Sequence, residues 1–233
     1  MPFGSQWFAV SAEFQPTDIA NCQYWFRADL GITKDGSDFV SQWDDQTANG
    51  RDLSESTNKP LWVDSLINSQ PAVRFDGSND TIGHDYAESY GATFHVFQLF
   101  NSVSWTNNDY VANYEDGGAN GYVRQIGTSP QIKQGGTDAN VNPVSLTIGS
   151  FGLVQSGFTG GTTSWQTLND GSKVTGADPG GTPAFGEVRL GSNHAGGQNG
   201  NVEIAEIIGY SAEISGADLT NLLSYFSDRY AIW

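Results

Sequence analysis

The sequence predicts an all-β sandwich of antiparallel strands closed by a single C-terminal α-helix. Three observations predict it. The chain carries 29 glycines among 233 residues while 12% of it is aromatic, a composition of tight turns between packed strands rather than of disorder. Between Tyr24 and Tyr210, short segments with alternating apolar residues are separated by Gly-, Asn- and Asp-rich turns, the period of half-buried strands. After Ser215 the period changes, once, to that of a helix. A chain of this length removes roughly 70–75% of its unfolded surface from water, so it needs no disulfide. Its one cysteine, Cys22, has no partner for an intrachain bridge and reads as a small residue near the core.

Residues 1–20 are expected to form either a first strand or an arm that docks on a neighbouring subunit, because Trp7, Phe8, Val10 and Phe14 are apolar without a sustained period. Residues 21–233 are expected to form the sandwich. Tyr24, Phe26 and Ala28 alternate with Trp25, Arg27 and Asp29, and Phe39 to Trp43 repeats the pattern. Residues 44–50 are turn chemistry, since Asn and Gly tolerate positive φ. Ala72 to Phe75 is a strand stopped by Asp76-Gly77-Ser78-Asn79-Asp80. Ala92 to Phe100 is apolar on both sides, with Phe94, Val96 and Phe100 on one face and Phe97 and Leu99 on the other, which predicts a strand covered on both faces. His95, among them, reads as a hydrogen-bonded core-edge histidine.

Val144 to Ile148 alternates as a half-buried strand. Trp165–Leu168 and Ser172–Val174 flank Asn169-Asp170-Gly171, a hairpin turn in which the Asp-Gly step supplies positive φ. Val188–Leu190 and Val202–Tyr210 are the last strands. The loops 115–121, 134–143, 157–164, 176–183 and 191–201 carry little apolar content and are expected at the surface. Leu219, Leu222, Leu223, Phe226 and Tyr230 then form one helical face, behind a start that resembles a capping box, with Ser215 and Asp218.

Four segments, in this order, resemble the concanavalin A-like lectin/glucanase superfamily in its laminin-G-like jelly-roll form, as found in phage and bacterial surface proteins. They are Tyr24-Trp25-Phe26-Arg27-Ala28-Asp29; Val40-Ser41-Gln42-Trp43-Asp44-Asp45-Gln46 through Asn49-Gly50; Gln70-Pro71-Ala72-Val73-Arg74-Phe75-Asp76-Gly77; and Glu203-Ile204-Ala205-Glu206-Ile207-Ile208 with the helix that ends Tyr225-Phe226-Ser227-Asp228-Arg229-Tyr230. The resemblance implies a two-sheet antiparallel jelly roll with a concave face and a rim of loops. Trp25 and Trp43 are expected to fill facing strands. Glu206, on a face with Ile204 and Ile208, is expected to be partly buried and to need a partner, with Arg27 or Arg74 as candidates.

The superfamily includes glycoside hydrolases, whose carboxylates alternate along one strand to reach one groove. No such run is present; Glu203 and Glu206, three apart, are expected on opposite faces, although carboxylates from separate strands can still meet. No nucleophile elbow, phosphate loop or dinucleotide fingerprint is present, and His84, His95 and His194 lack zinc spacing. No catalytic residue is assigned, and no enzyme is expected. Calcium is the one metal the resemblance suggests, through Asp44, Asp45, Asp76 and Asp80 in loops near strand ends; the plainer reading is that these acids hold turns. For glycan binding the candidates are Trp105, Asn107, Asp109, Tyr110 and His194, aromatics to stack on sugars and polar groups for hydroxyls.

With 10 Lys and Arg against 26 Asp and Glu the net charge is −16, which repels phosphate backbones and argues against nucleic acid. No apolar run reaches the ~20 residues of a membrane span, and residues 1–8 lack the features of a secretory signal. The first expectation is a non-enzymatic structural or decoration protein of a phage virion, made in a host cytoplasm and contacting capsid or tail proteins or copies of itself. The alternative is an extracellular carbohydrate-binding module or adhesin that holds surface glycans; a glycan-active hydrolase comes third.

Overall fold

The structure, a computed structural model, describes residues 13–90, 93–115, 121–135, 140–159, 164–176 and 185–233. A short 3₁₀ turn, Pro16–Asp18, precedes the strands. These are β1 (Cys22–Arg27), β2 (Ile32–Lys34), β3 (Val40–Trp43), β4 (Leu53–Ser54), β5 (Leu61–Ile67) and β6 (Gln70–Asp76). There follow β7 (Ile82–Tyr90), β8 (Phe94–Ser102), β9 (Tyr110–Glu115), β10 (Tyr122–Ile126), β11 (Gln131–Gly135) and β12 (Asn140–Ser145). The last are β13 (Phe151–Phe158), β14 (Trp165–Leu168), β15 (Val174–Thr175), β16 (Phe185–Leu190) and β17 (Asn201–Tyr210), and then helix α1 (Gly216–Tyr230).

All pairings between these strands are antiparallel. One sheet runs β15-β14-β13-β8-β17-β6-β5, with β1 also on β17; the other runs β12-β11-β10-β9-β16-β7-β4-β3-β2. The expected two-sheet sandwich with one C-terminal helix is what forms. The alternation seen in β8 explains its central place. Phe94, Val96 and Phe100 enter the core between the sheets, while Phe97 and Leu99 face α1. His95 is fully buried; its Nδ1 accepts the Ile214 amide at 3.1 Å, and burial pushes its imidazole down to about 3.

Three details depart from the sequence reading. Trp25 and Trp43 do not share a layer: Trp43 lies between the sheets, and Trp25 lies on the outer face under α1. Ser215 takes an extended N-cap backbone but makes no side-chain capping bond. The third concerns β17, where the register against β8 slips between Ile204 and Glu206. This bulge makes Ala205 the extra residue and reverses the phase of the strand. Ile204 and Ile207 point into the sandwich, and Ala205 and Ile208 point to α1.

Glu203 and Glu206 therefore share the helix-facing side instead of opposing each other. Glu203 pairs with Arg74 and accepts Asn101 Nδ2 at 2.9 Å. Glu206, fully buried, accepts Trp25 Nε1 at 2.5 Å, Tyr225 Oη at 2.8 Å and Tyr230 Oη at 2.6 Å. Arg27 reaches it through Tyr225, whose hydroxyl accepts Arg27 Nη1 at 3.1 Å.

Burial lifts the Glu206 carboxyl from its ordinary 4.5 to about 7, against the hydrogen bonds from Tyr230, Tyr225 and Trp25 and the nearby Arg27 charge, which pull it down. A folded-state pKa above the unfolded one means that the native state keeps the proton longer, so this group's contribution falls as pH rises through that window and levels off above about 7. Glu206→Gln removes the titration. In urea unfolding from pH 4.5 to 7.5 the stability of the native chain minus that of the variant should decline on the order of 3 kcal/mol; a flat difference would show that the proton is not held there.

Candidate functional site

The two outer faces of the sandwich are unlike. The helix covers that of the β8–β17 sheet with Leu222, Phe226 and Tyr230, all buried. The other sheet has no described helix on it. Its inward residues, among them Val123, Ile132, Val188 and Leu190, build the core. The period of two then sends Lys133, Arg124, Tyr122, Asn113, Glu187, Arg189 and Asp85 outward from β11, β10, β9, β16 and β7. A solvated outer face is ordinarily polar; what marks this one as the candidate site is that Glu187, Asn113, Lys133, Tyr110 and Tyr122 on it are buried.

At one end, Glu187 has 1% of its surface exposed, and the hydrogen bonds it accepts come from three side chains. Arg189 donates to Oε1 through Nε, Asn113 Nδ2 reaches Oε2 at 2.7 Å, and His194 Nδ1 reaches Oε2 at 3.1 Å. Burial raises its carboxyl, and the Arg189 charge with the His194 and Arg189 hydrogen bonds acts in the opposite direction. Arg189 also holds Asp85 at 3.3 Å across the strand pair. Its guanidinium lies over Gly83, where a Cβ would sit 3.1 Å from Cζ. Asp85, Glu187 and His194 bring one ligand atom each to within 4.8 Å of one another. Arg189 pairs with both carboxylates, which leaves one of their two negative charges without a counter-charge among these groups.

At the other end, Arg124 lies over Tyr122 at 4.8 Å and Tyr110 at 5.8 Å, and the two rings are 5.1 Å apart. Cations over aromatic faces are attracted by the ring quadrupole. Gly135 is required beneath Tyr122, since a Cβ there would come within 2.1 Å of the ring. The tyrosines, each 5% exposed, form a floor. Asp85 and His194, with side chains 53% and 37% exposed, reach solvent.

Of the glycan candidates, the structure brings Tyr110 and His194 to this face. Trp105 and Asn107 lie at its margin and hold the β10–β11 turn: Trp105 Nε1 donates to Gly127 O at 2.9 Å, and Asn107 Oδ1 accepts Gly127 N at 2.7 Å. Asp109 is bonded by Thr106, and burial raises its carboxyl. The four acids considered for calcium lie in two turns, Asp44 with Asp45 and Asp76 with Asp80, where they hold backbone and side-chain donors. Asp44 accepts Gln42 Nε2; Asp45 accepts Trp25 N, Thr47 N, Thr47 Oγ1 and Arg51 N. Asp76 accepts Ser78 N and Asn79 N, and Asp80 accepts Asp76 N.

Trp7, Phe8 and Val10 lie outside the described residues, while Phe14 packs edge-on against Tyr225 of its own chain at 6.2 Å. A cleft of about 690 Å³ beside α1 is walled by Phe14 and Tyr225 and by polar groups that include Glu13, Asn68, Gln70, Asp228 and Arg229; it lies on the helix side, away from this face. Glu187, Asp85, Asn113, Tyr122, Arg124, Arg189 and Lys133 were missed in the sequence because they come from five strands, none with more than two of them. Alternation with Val123, Ile132, Val188 and Leu190 was the signal that could have found five of them.

No family model matches the chain, and no curated protein matches it in sequence. Solved structures do match in shape. Domain 4 of AbnA, a GH43 extracellular arabinanase from Geobacillus stearothermophilus in complex with arabinotriose, aligns at 13% identity and TM-score 0.62, over 87% of this chain and 98% of that one. A Trypanosoma rangeli sialidase in complex with sialic acid aligns at 12% identity and TM-score 0.60, over 88% of this chain and 33% of that one. The binding domain of Paraclostridial Mosquitocidal Protein 1 aligns at 15% identity and TM-score 0.62, over 91% of this chain and 53% of that one. This chain thus spans about a third of the sialidase.

At these identities the likeness establishes a β-sandwich fold. It also corrects the expectation of a virion decoration protein: the structures matched are a sialidase, a domain of an arabinanase and a binding domain, and none of these three is a capsid or tail protein. No described helix is long and apolar enough to cross a membrane.

Gly135→Ala tests the floor. The added methyl must displace the Tyr122 ring, and overpacking of this kind costs about 1–3 kcal/mol. Thermal unfolding should show the loss, and near-UV circular dichroism should show an altered tyrosine signal. An unchanged spectrum would mean that the ring does not rest on Gly135.

Proposed function

We propose that this chain is a carbohydrate-binding module of the concanavalin A-like, laminin-G-like type, acting on extracellular glycan, and that the outer face of the nine-stranded sheet is its binding face. One observation carries the reading: α1 covers one outer face of the sandwich, and the other bears a band of tyrosine, arginine, asparagine, histidine and carboxylate side chains across five adjacent strands. A few placed polar groups over an aromatic floor suit a sugar, which offers hydroxyls at its edge and C–H groups on its face. The arabinanase domain of nearly the same extent, itself in complex with arabinotriose, supports the reading by analogy of fold.

A glycan-active hydrolase is the second reading, favoured by the approach of Asp85 and Glu187 from adjacent strands, the encounter that the sequence had left open. Against it, the Glu187 side chain is 0% exposed and its oxygens are taken by Arg189, Asn113 and His194. An acid catalyst must reach the glycosidic oxygen.

A glycan array followed by calorimetry tests both. Asp85→Ala, at a solvent-reaching position, should weaken binding about tenfold, a loss of ~1.4 kcal/mol, with little change in melting temperature. His194→Ala should weaken binding too and, by taking a hydrogen bond from buried Glu187, should also lower the melting temperature. Binding should survive EDTA, since the proposed contacts are made by side chains and Arg189 already pairs with both carboxylates. Silence across plant and bacterial glycans would remove the module reading, and reducing ends released from a bound glycan would replace it with the hydrolase.

A further inference from the structure

All four lysines of the chain lie in described segments, and one is unlike the rest. Lys34 holds Asp38, Lys59 holds Asp35 and Lys173 holds Glu213. In a chain with 26 acidic residues against 10 basic ones, such pairing is easily met. Lys133, 9% exposed, has no ion pair or hydrogen bond to any described residue. Its cross-strand partner in β10 is a second cation, Arg124. Like charges directly opposite each other on one face of a sheet are destabilising. A partly desolvated ammonium without a counter-charge among the described residues carries a cost as well. Burial, and then the Arg124 charge, pull the Lys133 ammonium down to about 8. Structural needs alone favour an apolar or acidic residue at this position.

Resting on the glycan-binding reading of this face, we propose that Lys133 and Arg124 form a carboxylate-binding corner, so that the glycan taken is acidic and built of uronate or other carboxylate-bearing sugars. Arg124 is placed by Tyr122 and Tyr110 beneath it, and a planar guanidinium beside a point-like ammonium suits a carboxylate. Neutral sugar rings would be left to the Asp85, His194 and Arg189 end. The acid would supply the counter-charge that the described residues withhold from Lys133.

The test compares polygalacturonate with neutral galactan by affinity electrophoresis and calorimetry, using the full chain, Lys133→Met and the exposed-lysine control Lys173→Met. The native chain and the control should prefer the acidic polymer at least tenfold, and added salt should erode that preference. Lys133→Met should abolish it while melting at the same or a higher temperature. If neutral polymer binds equally well, or if Lys133→Met keeps the preference, the acidic corner is overturned and the glycan reading stands. If neither polymer binds, the glycan reading is what fails, and a titration with glucuronate against glucose decides the corner separately. Glucuronate-specific shifts of the Lys133 resonances support it; their absence overturns it.

Discussion

The rest of the structure depends on a carboxylate with no solvent around it. Glu206 sits between sheet and helix, satisfied by one indole and two phenol donors, and two of these three belong to α1. Removing one partner from a buried, hydrogen-bonded charge costs several kcal/mol where surface pairs are worth about one. The helix is therefore tied at a fixed position as well as held by its apolar face. The bulge at Ala205 makes the tie possible by turning Glu206 outward. It also falls where β17 changes neighbours on one edge, from β6 along residues 201–204 to β1 along residues 206–210.

Sealing that face leaves the two sheets with different duties. The central strands of the β8–β17 sheet are buried on both sides, and β8 and β17 carry apolar residues on both. The β9–β16 sheet builds the core with one set of alternating residues, so the other set is available for chemistry. Antiparallel register then does the assembly: residues distant in sequence, such as Asn113, Asp85 and Glu187, become neighbours across strands spaced about 4.8 Å apart. Glycine at 83 and 135 lets Arg189 and Tyr122 lie flat on the sheet, giving the face a low floor.

The charge of the chain sharpens what this face does. Most acidic side chains on a −16 protein are solvated or fasten turns, as Asp45 and Asp76 do. The cations Arg124, Lys133 and Arg189 are gathered on one sheet face instead. At the Lys133–Arg124 corner, under the reading proposed above, a local charge opposite in sign to that of the whole molecule would select ligands by charge as well as by shape.

The sequence by itself determined the two-layer core, the helix and central strands such as β8 and β17, but it did not mark β7, β9, β10 or β11. What it determined depends on local periodicity and turn chemistry: β8, displaced by two residues at each end, and α1 were legible because each shows its period several times over. It also picked out Tyr110 and His194 by residue type. Only the tertiary structure decided which strands are neighbours, and hence that Glu187 meets Arg189, Asn113 and His194, or that Lys133 faces Arg124. It alone decided the bulge that reverses Glu206, and the separate layers of Trp25 and Trp43. The physical reason is common to all of these: sheet pairing joins residues far apart along the chain, and a one-residue slip in register changes the face of every side chain beyond it, while leaving no mark in the local pattern.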